Sequence, residues 1–307
     1  MFAAWARGSK VIVDWHNYGH TLLAQTLLFK PLVPIYRWYE KGFGRRLGDF
    51  NLAVTDAMNR QLKGPSFNIK TPVLTLHDRP AEVFQPVTSA QERLDFLSRL
   101  PETQPDAQSI VDGKLRLVVS STSWTADEDF GILLDALMAY ATPLGSDTAT
   151  ELPIPILAII TGKGPQKQAY TDKIKELTDQ GKLPGIRILT AWLSTRDYAS
   201  LLACADLGVS LHKSSSGVDL PMKVVDMFGA GLPVAAYSAF ESFSELVKEG
   251  VNGCGFETAQ ELQDVFSRLL SVSGAAELRR LKKGAISEGS LRWDESWNNV
   301  VGRILCS

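Results

Sequence analysis

The chain has 307 residues, enough for two domains of about 150 residues each or for one large α/β unit. Lys and Arg number 32 against 34 Asp and Glu, a formal charge of −2 that removes a global basic field for nucleic acid; 45% apolar and 21% charged residues exclude disorder, collagen-like repeats and coiled coil. The three cysteines, Cys204, Cys254 and Cys306, form no CxxC pair and the four histidines form no HExxH, which argues against zinc sites and a disulfide framework and suits a reducing compartment. In chain order, Lys10–Trp15 reads as a strand, Leu52–Thr55 as a second and Val73–Leu76 as a third, a piece separate from the rest of the chain. Between Leu22 and Arg46 lies an apolar stretch with Tyr36, Trp38 and Tyr39, flanked by Lys30, Arg37, Lys41, Arg45 and Arg46 against the single acid Glu40. That pattern fits either a core-packed helix with a solvated face or contact with an anionic membrane surface or lipid-linked substrate.

From Ser89 to Lys114 the sequence turns polar and proline-containing, as in a helix plus linker. Short β-branched runs then alternate with helical patterns. The predicted strands are Leu115–Ser121, Ile154–Ile160, Ile186–Leu189, Asp206–Leu211, Pro233–Tyr237 and Gly253–Phe256. The predicted helices between them are Asp129–Ala141, Gln166–Thr178, Thr195–Ala205, Leu220–Gly229 and Glu241–Glu249. Such alternation predicts parallel βαβ units in a doubly wound sheet, and the nearly continuous apolar strands suit a sheet covered on both faces. The tail Gly289–Ile304 is amphipathic, with Trp293 and Trp297 four apart on one face. No run reaches the roughly 18 apolar residues of a membrane span, and the N-terminus meets its charges too soon for a secretory signal.

Ligands of doubly wound sheets bind beyond the carboxyl ends of the strands, so chemistry is sought there. Ser120-Ser121-Thr122-Ser123 precedes a helix starting near Asp127 and offers hydroxyls and N–H groups to an anion, or simply caps the helix, with Glu128 in its first turn. Thr161-Gly162-Lys163-Gly164-Pro165 allows close backbone approach beside a cation, as would any tight βα turn. The strongest segment is Ser214-Ser215-Ser216-Gly217-Val218-Asp219-Leu220-Pro221 running into a helix, with Pro221 at the first helical position and Lys223 adding positive charge. Asp226, at i+3 from Lys223, has the two oxygens needed to accept from a sugar diol; the plainer alternative makes Asp219 a cap and Lys223–Asp226 a surface ion pair. In the first piece, Asp14, His16, Asn17, Tyr18 and His20 end a strand with groups suited to proton transfer or substrate binding, the plainer alternative being buried, hydrogen-bonded side chains. Arg79, in His77-Asp78-Arg79-Pro80, pairs either a phosphate or Asp78.

These pieces, in this order, resemble the chitobiosyldiphosphodolichol β-mannosyltransferases: DWHNYG at Asp14–Gly19, DRP at Asp78–Pro80, SSTSWTADED at Ser120–Asp129, TGKGP at Thr161–Pro165, SSSGVDLPMKVVDMF at Ser214–Phe228 and RWDESW at Arg292–Trp297. The resemblance implies an α/β fold of the GT-B type, two Rossmann-like domains facing a cleft. The implied division is residues 1–110 as a partial acceptor-side domain, 111–288 as a GDP-sugar domain and 289–307 as a helix crossing back. It implies inverting transfer of mannose from GDP-mannose to dolichyl-diphosphate-linked chitobiose, at the cytosolic face of the endoplasmic reticulum membrane, beside other mannosyltransferases of the pathway. Ser121, Thr122, Gly162, Lys163, Ser215, Ser216, Gly217, Asp219, Met222, Lys223 and Asp226 would then bind the donor. Asn17, Tyr18 and Arg79 would bind the acceptor, and Asp14 or His16 would be the base. No tightly bound cofactor and no metal ligand set is implied, nor is a divalent ion. Family members carry a membrane anchor and a glycine-rich βαβ before the DWHNYG strand, whereas here that strand begins about ten residues from Met1. A first domain with an incomplete sheet is therefore expected, and a shortened, catalytically silent relative that still binds nucleotide or a partner is the competing expectation.

Overall fold

The computed structural model describes residues 7–25, 27–46, 48–125, 128–141, 153–302 and 304, so Cys306 and the predicted helix start at Asp127 lie outside the described residues. Two parallel sheets carry the chain. The first holds β1 (Ile12–Trp15), β2 (Phe50–Ala53) and β3 (Val73–Thr75) in the order β1-β2-β3, with Ile12 opposite Phe50 and Asn51 opposite Val73. The crossover from β1 to β2 contains α1 (Gly19–Gln25) and α2 (Val33–Gly44), and α3 (Asp56–Lys63) links β2 to β3. Thr55 starts α3 by accepting a hydrogen bond from the Met58 N–H, the usual service of a threonine at a helix N-cap.

Two further helices, α4 (Ala90–Arg99) and α5 (Ala107–Val111), lead to the second sheet. It comprises β4 (Arg116–Ser121), β5 (Ile156–Thr161), β6 (Ile186–Ala191), β7 (Leu207–Ser210), β8 (Val234–Tyr237) and β9 (Gly253–Phe256). Its spatial order is β6-β5-β4-β7-β8-β9, the doubly wound order whose direction reverses between β4 and β7. The intervening helices are α6 (Phe130–Ala141), α7 (Lys167–Asp179), α8 (Thr195–Cys204), α9 (Met222–Gly229) and α10 (Phe243–Leu246). Three more come after the last strand: α11 (Ala259–Leu269), α12 (Ala275–Gly289) and α13 (Trp293–Trp297). Every residue of β5 is buried, as a strand sandwiched between two helical layers must be.

The strand predictions hold to within two residues. The helix expected over Glu241–Glu249 is reduced to the single turn of α10. The buried Asn252 side chain accepts from the Lys248 N–H at 2.8 Å and donates to the Leu246 carbonyl at 3.0 Å, and these bonds turn the chain toward β9. Pro221 sits one place before the first helical residue of α9, at the N-cap.

One apolar core runs from the first sheet into one face of the second, joining Trp15, Val54 and Met58 to Val218, Val224 and Phe228. The chain then returns from α12 to the first sheet. There Val301, on a π-helical turn after α13, buries itself with Leu52 and Leu76. Arg292 donates to the carbonyls of Ala81 and Phe84 at 3.3 and 3.2 Å. The rings of Trp293 and Trp297 lie 5.8 Å apart on one side of this tail. The close passage of α12 over α9 needs Gly289, where a Cβ would stand 1.9 Å from the Phe228 carbonyl oxygen. Gly289→Ala is expected to destabilise the fold by about 1–3 kcal/mol, the usual range for overpacking, read as a lower midpoint in urea with unchanged slope.

Candidate active site

The reversal between β4 and β7 opens a crevice, and the loops leaving both strands meet there. After β7 the chain runs through the serine-rich loop, whose organiser is Asp219. Its buried carboxylate accepts from His212 Nε2 at 2.9 Å, from Ser216 Oγ at 3.2 Å and from the Ser214 hydroxyl. Burial works to raise this carboxyl, but the bonds from His212 and Ser214 prevail and hold it below the ordinary aspartate value. Gly217 takes φ +77°, a left-handed conformation natural to glycine, and its N–H bonds Ser214 Oγ at 2.7 Å. Ser215 Oγ faces Thr21 Oγ1 of α1 at 3.4 Å. Asp219 is therefore occupied in holding the loop and does not cap α9. Pro221 makes no side-chain cap either, so the first N–H groups of α9 stay open toward the crevice.

The positive charge near that helix start is fixed by Glu128, which the sequence placed only in the first turn of the helix after β4. Glu128 is 4% exposed, and one of its oxygens pairs with Lys223 Nζ. The other accepts from Thr122 Oγ1 at 2.5 Å and from the Ser123 N–H. Lys223 also donates to Ser123 Oγ at 3.2 Å. The predicted alternative of a Lys223–Asp226 surface pair is thereby set aside. The signal in the sequence was slight: an acid in a hydroxyl-rich loop, with nothing to show that its partner stands 95 residues away.

Lys223 separates two cavities. The first, about 370 Å³, is bounded by Asp219, Pro221, Met222 and Lys223 on one side and by His16 and Asp78 on the other. The second, about 410 Å³, is lined by Ser121, Thr122, Gly162, Trp192, Tyr198 and Asp226, among others. Its floor is a hydroxyl ladder in which Thr161 Oγ1 donates to Ser121 Oγ at 3.2 Å and Ser121 Oγ meets Tyr198 OH at 2.8 Å. The Asp226 carboxylate faces this cavity without a hydrogen bond or ion pair from any described residue, and burial alone raises it to about 6. Gly162 and Gly164 have a packing reason: added Cβ atoms would lie 1.8 Å from the Thr122 carbonyl oxygen and 1.7 Å from that of Ser123. Both glycines let the two βα loops press together. Lys163 projects over the Trp192 ring, with Nζ 3.9 Å from its centroid.

Across the crevice, His16 lies between two carboxylates. Its Nε2 is 3.0 Å from Asp14 Oδ2 and its Nδ1 is 3.7 Å from Asp78 Oδ2. Burial raises the Asp78 carboxyl, helped by the charge of Asp14 and opposed by His16. Asn17 lines the same cavity, its side-chain oxygen accepting from the Tyr18 N–H at 2.8 Å and Thr21 Oγ1 at 3.4 Å. Two expected acceptor contacts lie elsewhere. Tyr18 is a core residue, its ring stacked on Phe67 at 4.8 Å and its buried hydroxyl without a partner among the described residues. Arg79 does not pair with Asp78; it bonds Glu288 and Ser296, both at 3.2 Å, and ties the chain's return to the first sheet. A cluster of Asp56, His77 and Glu245 has ligand atoms close enough for a cation, yet Glu245 accepts from the N–H groups of Asp56 and Ala57 at 2.6 and 2.7 Å and from His77 at 3.0 Å, which makes it a cap for α3.

Residues 117–272 match the family model of the group 1 glycosyl transferases. A protein of Arthroderma benhamiae named chitobiosyldiphosphodolichol beta-mannosyltransferase is 49% identical over 307 residues, covering 99% of this chain and 67% of that protein. The protein of the same name from Debaryomyces hansenii is 41% identical, covering 97% and 62%. The chain thus spans about two thirds of the length of these relatives. A crystal structure of Anabaena Alr3699/HepE in complex with UDP and glucose superposes on 99% of this chain and 73% of its own with a TM-score of 0.69, at 16% identity, a likeness of fold.

The unpaired Asp226 carboxylate has a thermodynamic signature. Its raised value means that the unfolded chain ionises first, so stability falls as pH rises from about 3.8 to about 6 and stays lowered above. Asp226→Asn is expected to raise the melting temperature at pH 7.5 by about 2 °C, after allowance for solvent at the cavity mouth, with no gain at pH 4. Thermal melts at both pH values check this.

Proposed function

This chain belongs to the chitobiosyldiphosphodolichol β-mannosyltransferase family of the group 1 glycosyl transferases, and we propose that it moves mannose from GDP-mannose to dolichyl-diphosphate-linked chitobiose with inversion at the anomeric carbon. The observation that carries this reading is the open N-terminus of α9 beside Lys223, placed between a hydroxyl-lined cavity with an unpaired aspartate and a cavity that reaches His16. The nucleoside would occupy the second cavity, with Asp226 accepting from the ribose hydroxyls. The diphosphate would lie on the first N–H groups of α9 and on Lys223, which stabilise the charge that develops as the sugar leaves. The hexose would then enter the first cavity near Asp219, with the acceptor approaching from the His16 side.

An α-linked donor gives a β product in one displacement, so a base is needed on the face opposite the leaving diphosphate. Of the two candidates from the sequence, His16 lines the first cavity. Its Nε2 donates to the Asp14 carboxylate, which leaves Nδ1 as the basic nitrogen. Nδ1 would take the acceptor hydroxyl proton, and the imidazolium so formed would lie between Asp14 and Asp78. Asp14 is then a positioning residue.

Titration calorimetry with GDP, UDP and ADP, followed by mannose transfer to a short-chain lipid diphosphate chitobiose, tests the reading. GDP is expected to bind, and Lys223→Met to weaken it about tenfold or more. His16→Ala should lower turnover about 10²–10⁴-fold while GDP binding stays unchanged. Absence of GDP binding would overturn the donor assignment. Binding without transfer would favour the silent relative that still holds nucleotide.

A further inference from the structure

The helix α2 carries a face that neither the crevice nor the core uses. At 100° per residue its inward side is formed by Glu40 and Gly44. Gly44 is buried against Trp15, and Glu40 bonds the Gly19 N–H at 2.7 Å and His20 Nδ1 at 2.5 Å. The outward sector holds Ile35, Trp38 and Tyr39, with Phe43 at its edge, all exposed, Trp38 at 72% and Ile35 at 64%. The rings of Tyr39 and Phe43 lie 4.7 Å apart, so the sector is a continuous apolar surface. Along one flank, Arg37, Lys41 and Arg45 stand at i, i+4 and i+8 and line a groove of about 430 Å³ with Trp38.

Among the described residues no acid pairs with these three cations; Lys41 donates to the Ser66 hydroxyl and Arg45 to the Phe67 carbonyl at 2.6 Å, neutral partners that leave the charges uncompensated. Glu40, the acid of the segment, is turned inward to His20, and Arg37 has no hydrogen bond or ion pair with any described residue. Some burial and the neighbouring guanidinium groups of Arg37 and Arg45 lower the Lys41 ammonium, outweighing the opposing pull of Glu40. A helix of 12 residues is about 18 Å long and cannot cross a bilayer of about 30 Å, and no described helix is long and apolar enough to do so. It can lie in the plane of a membrane surface, with aromatic rings at the headgroup level and cations reaching lipid phosphates.

We infer that the outward face of α2 is a docking surface for a bilayer containing anionic lipids. The charge row selects this occupant: the whole chain has a formal charge of −2, yet this one helix flank presents three adjacent cations beside an aromatic stripe. The face is also tied to the crevice. Glu40 holds the N-terminus of α1, two residues from Asn17 at the first cavity, so a bilayer under α2 would lie close to the cavity mouth. The inference stands on α2 alone and needs no nucleotide.

Co-sedimentation of the full chain with phosphatidylcholine vesicles, with and without about 30 mol% phosphatidylserine, tests it. Binding is expected to the anionic vesicles, about tenfold weaker to neutral ones, and about tenfold weaker for Arg37→Glu. Brominated lipid should quench tryptophan emission of the wild type, and Trp38→Phe should lose most of that quenching. Both side chains are exposed, and circular dichroism will show their variants folded. Equal binding of neutral and anionic vesicles, unchanged binding of Arg37→Glu, or a concentration-dependent dimer in sedimentation without vesicle binding would each overturn the inference.

Discussion

The site is organised around one ion pair whose acid, Glu128, is buried and whose Lys223 side chain stays 30% exposed. Glu128 comes from the loop after β4 and Lys223 from the first turn of α9, and their contact fixes where that helix start stands relative to the loop. Taking the Glu128 charge out of water is expensive, and the attraction of Lys223 repays it only if the remaining lone pairs are also satisfied. Here they are: the Thr122 hydroxyl and the Ser123 N–H donate to the second oxygen of Glu128. Removing Lys223 would leave Glu128 buried and unpaired, which is why such a pair holds geometry better than it adds net stability. It also keeps an ammonium group at a helix N-terminus where no side chain caps the N–H groups.

The second requirement is that the two sheets keep a fixed separation across the crevice. Polar contacts at the base do this. Thr55 Oγ1 donates to the Val218 carbonyl at 2.6 Å, Arg60 pairs with Glu241 at 2.9 Å, and Glu245 caps α3 while accepting from His77. The exposed Arg60–Glu241 pair contributes little alone, whereas the buried threonine bond and the shared apolar core cannot be broken without exposing both sides. Arg79 and Glu288 add a tie at the far end, where the returning chain meets the first sheet. The first cavity is the space these contacts leave, with His16 and Asp78 on one wall and Asp219 and Lys223 on the other.

Much of the second sheet was legible because its strands are buried on both faces, which makes them short, apolar and β-branched between helix-length segments. The serine-rich loop and Pro221 were legible for the same local reason: small residues and proline mark a loop entering a helix. Glu128 was not, since its importance comes from burial at 4% exposure and a partner distant in sequence. Tyr18 and Arg79 misled because a tyrosine beside a strand end and an arginine beside an aspartate look alike whether they face a cavity or a neighbouring element. The short α10 results from a side chain, Asn252, that offers the backbone an alternative to helix.

The sequence by itself determined the alternation of strands and helices, the open loop before α9, and the amphipathic division of the α2 segment, because these depend on the spacing of neighbouring residues. Only the tertiary structure decided that Lys223 pairs with Glu128 and not Asp226, that His16 and not Tyr18 faces the crevice, and that the cations of α2 have no acidic partner among the described residues. Each of those outcomes turns on which distant groups share a low-dielectric space, and burial of that kind arises only when the elements are packed together.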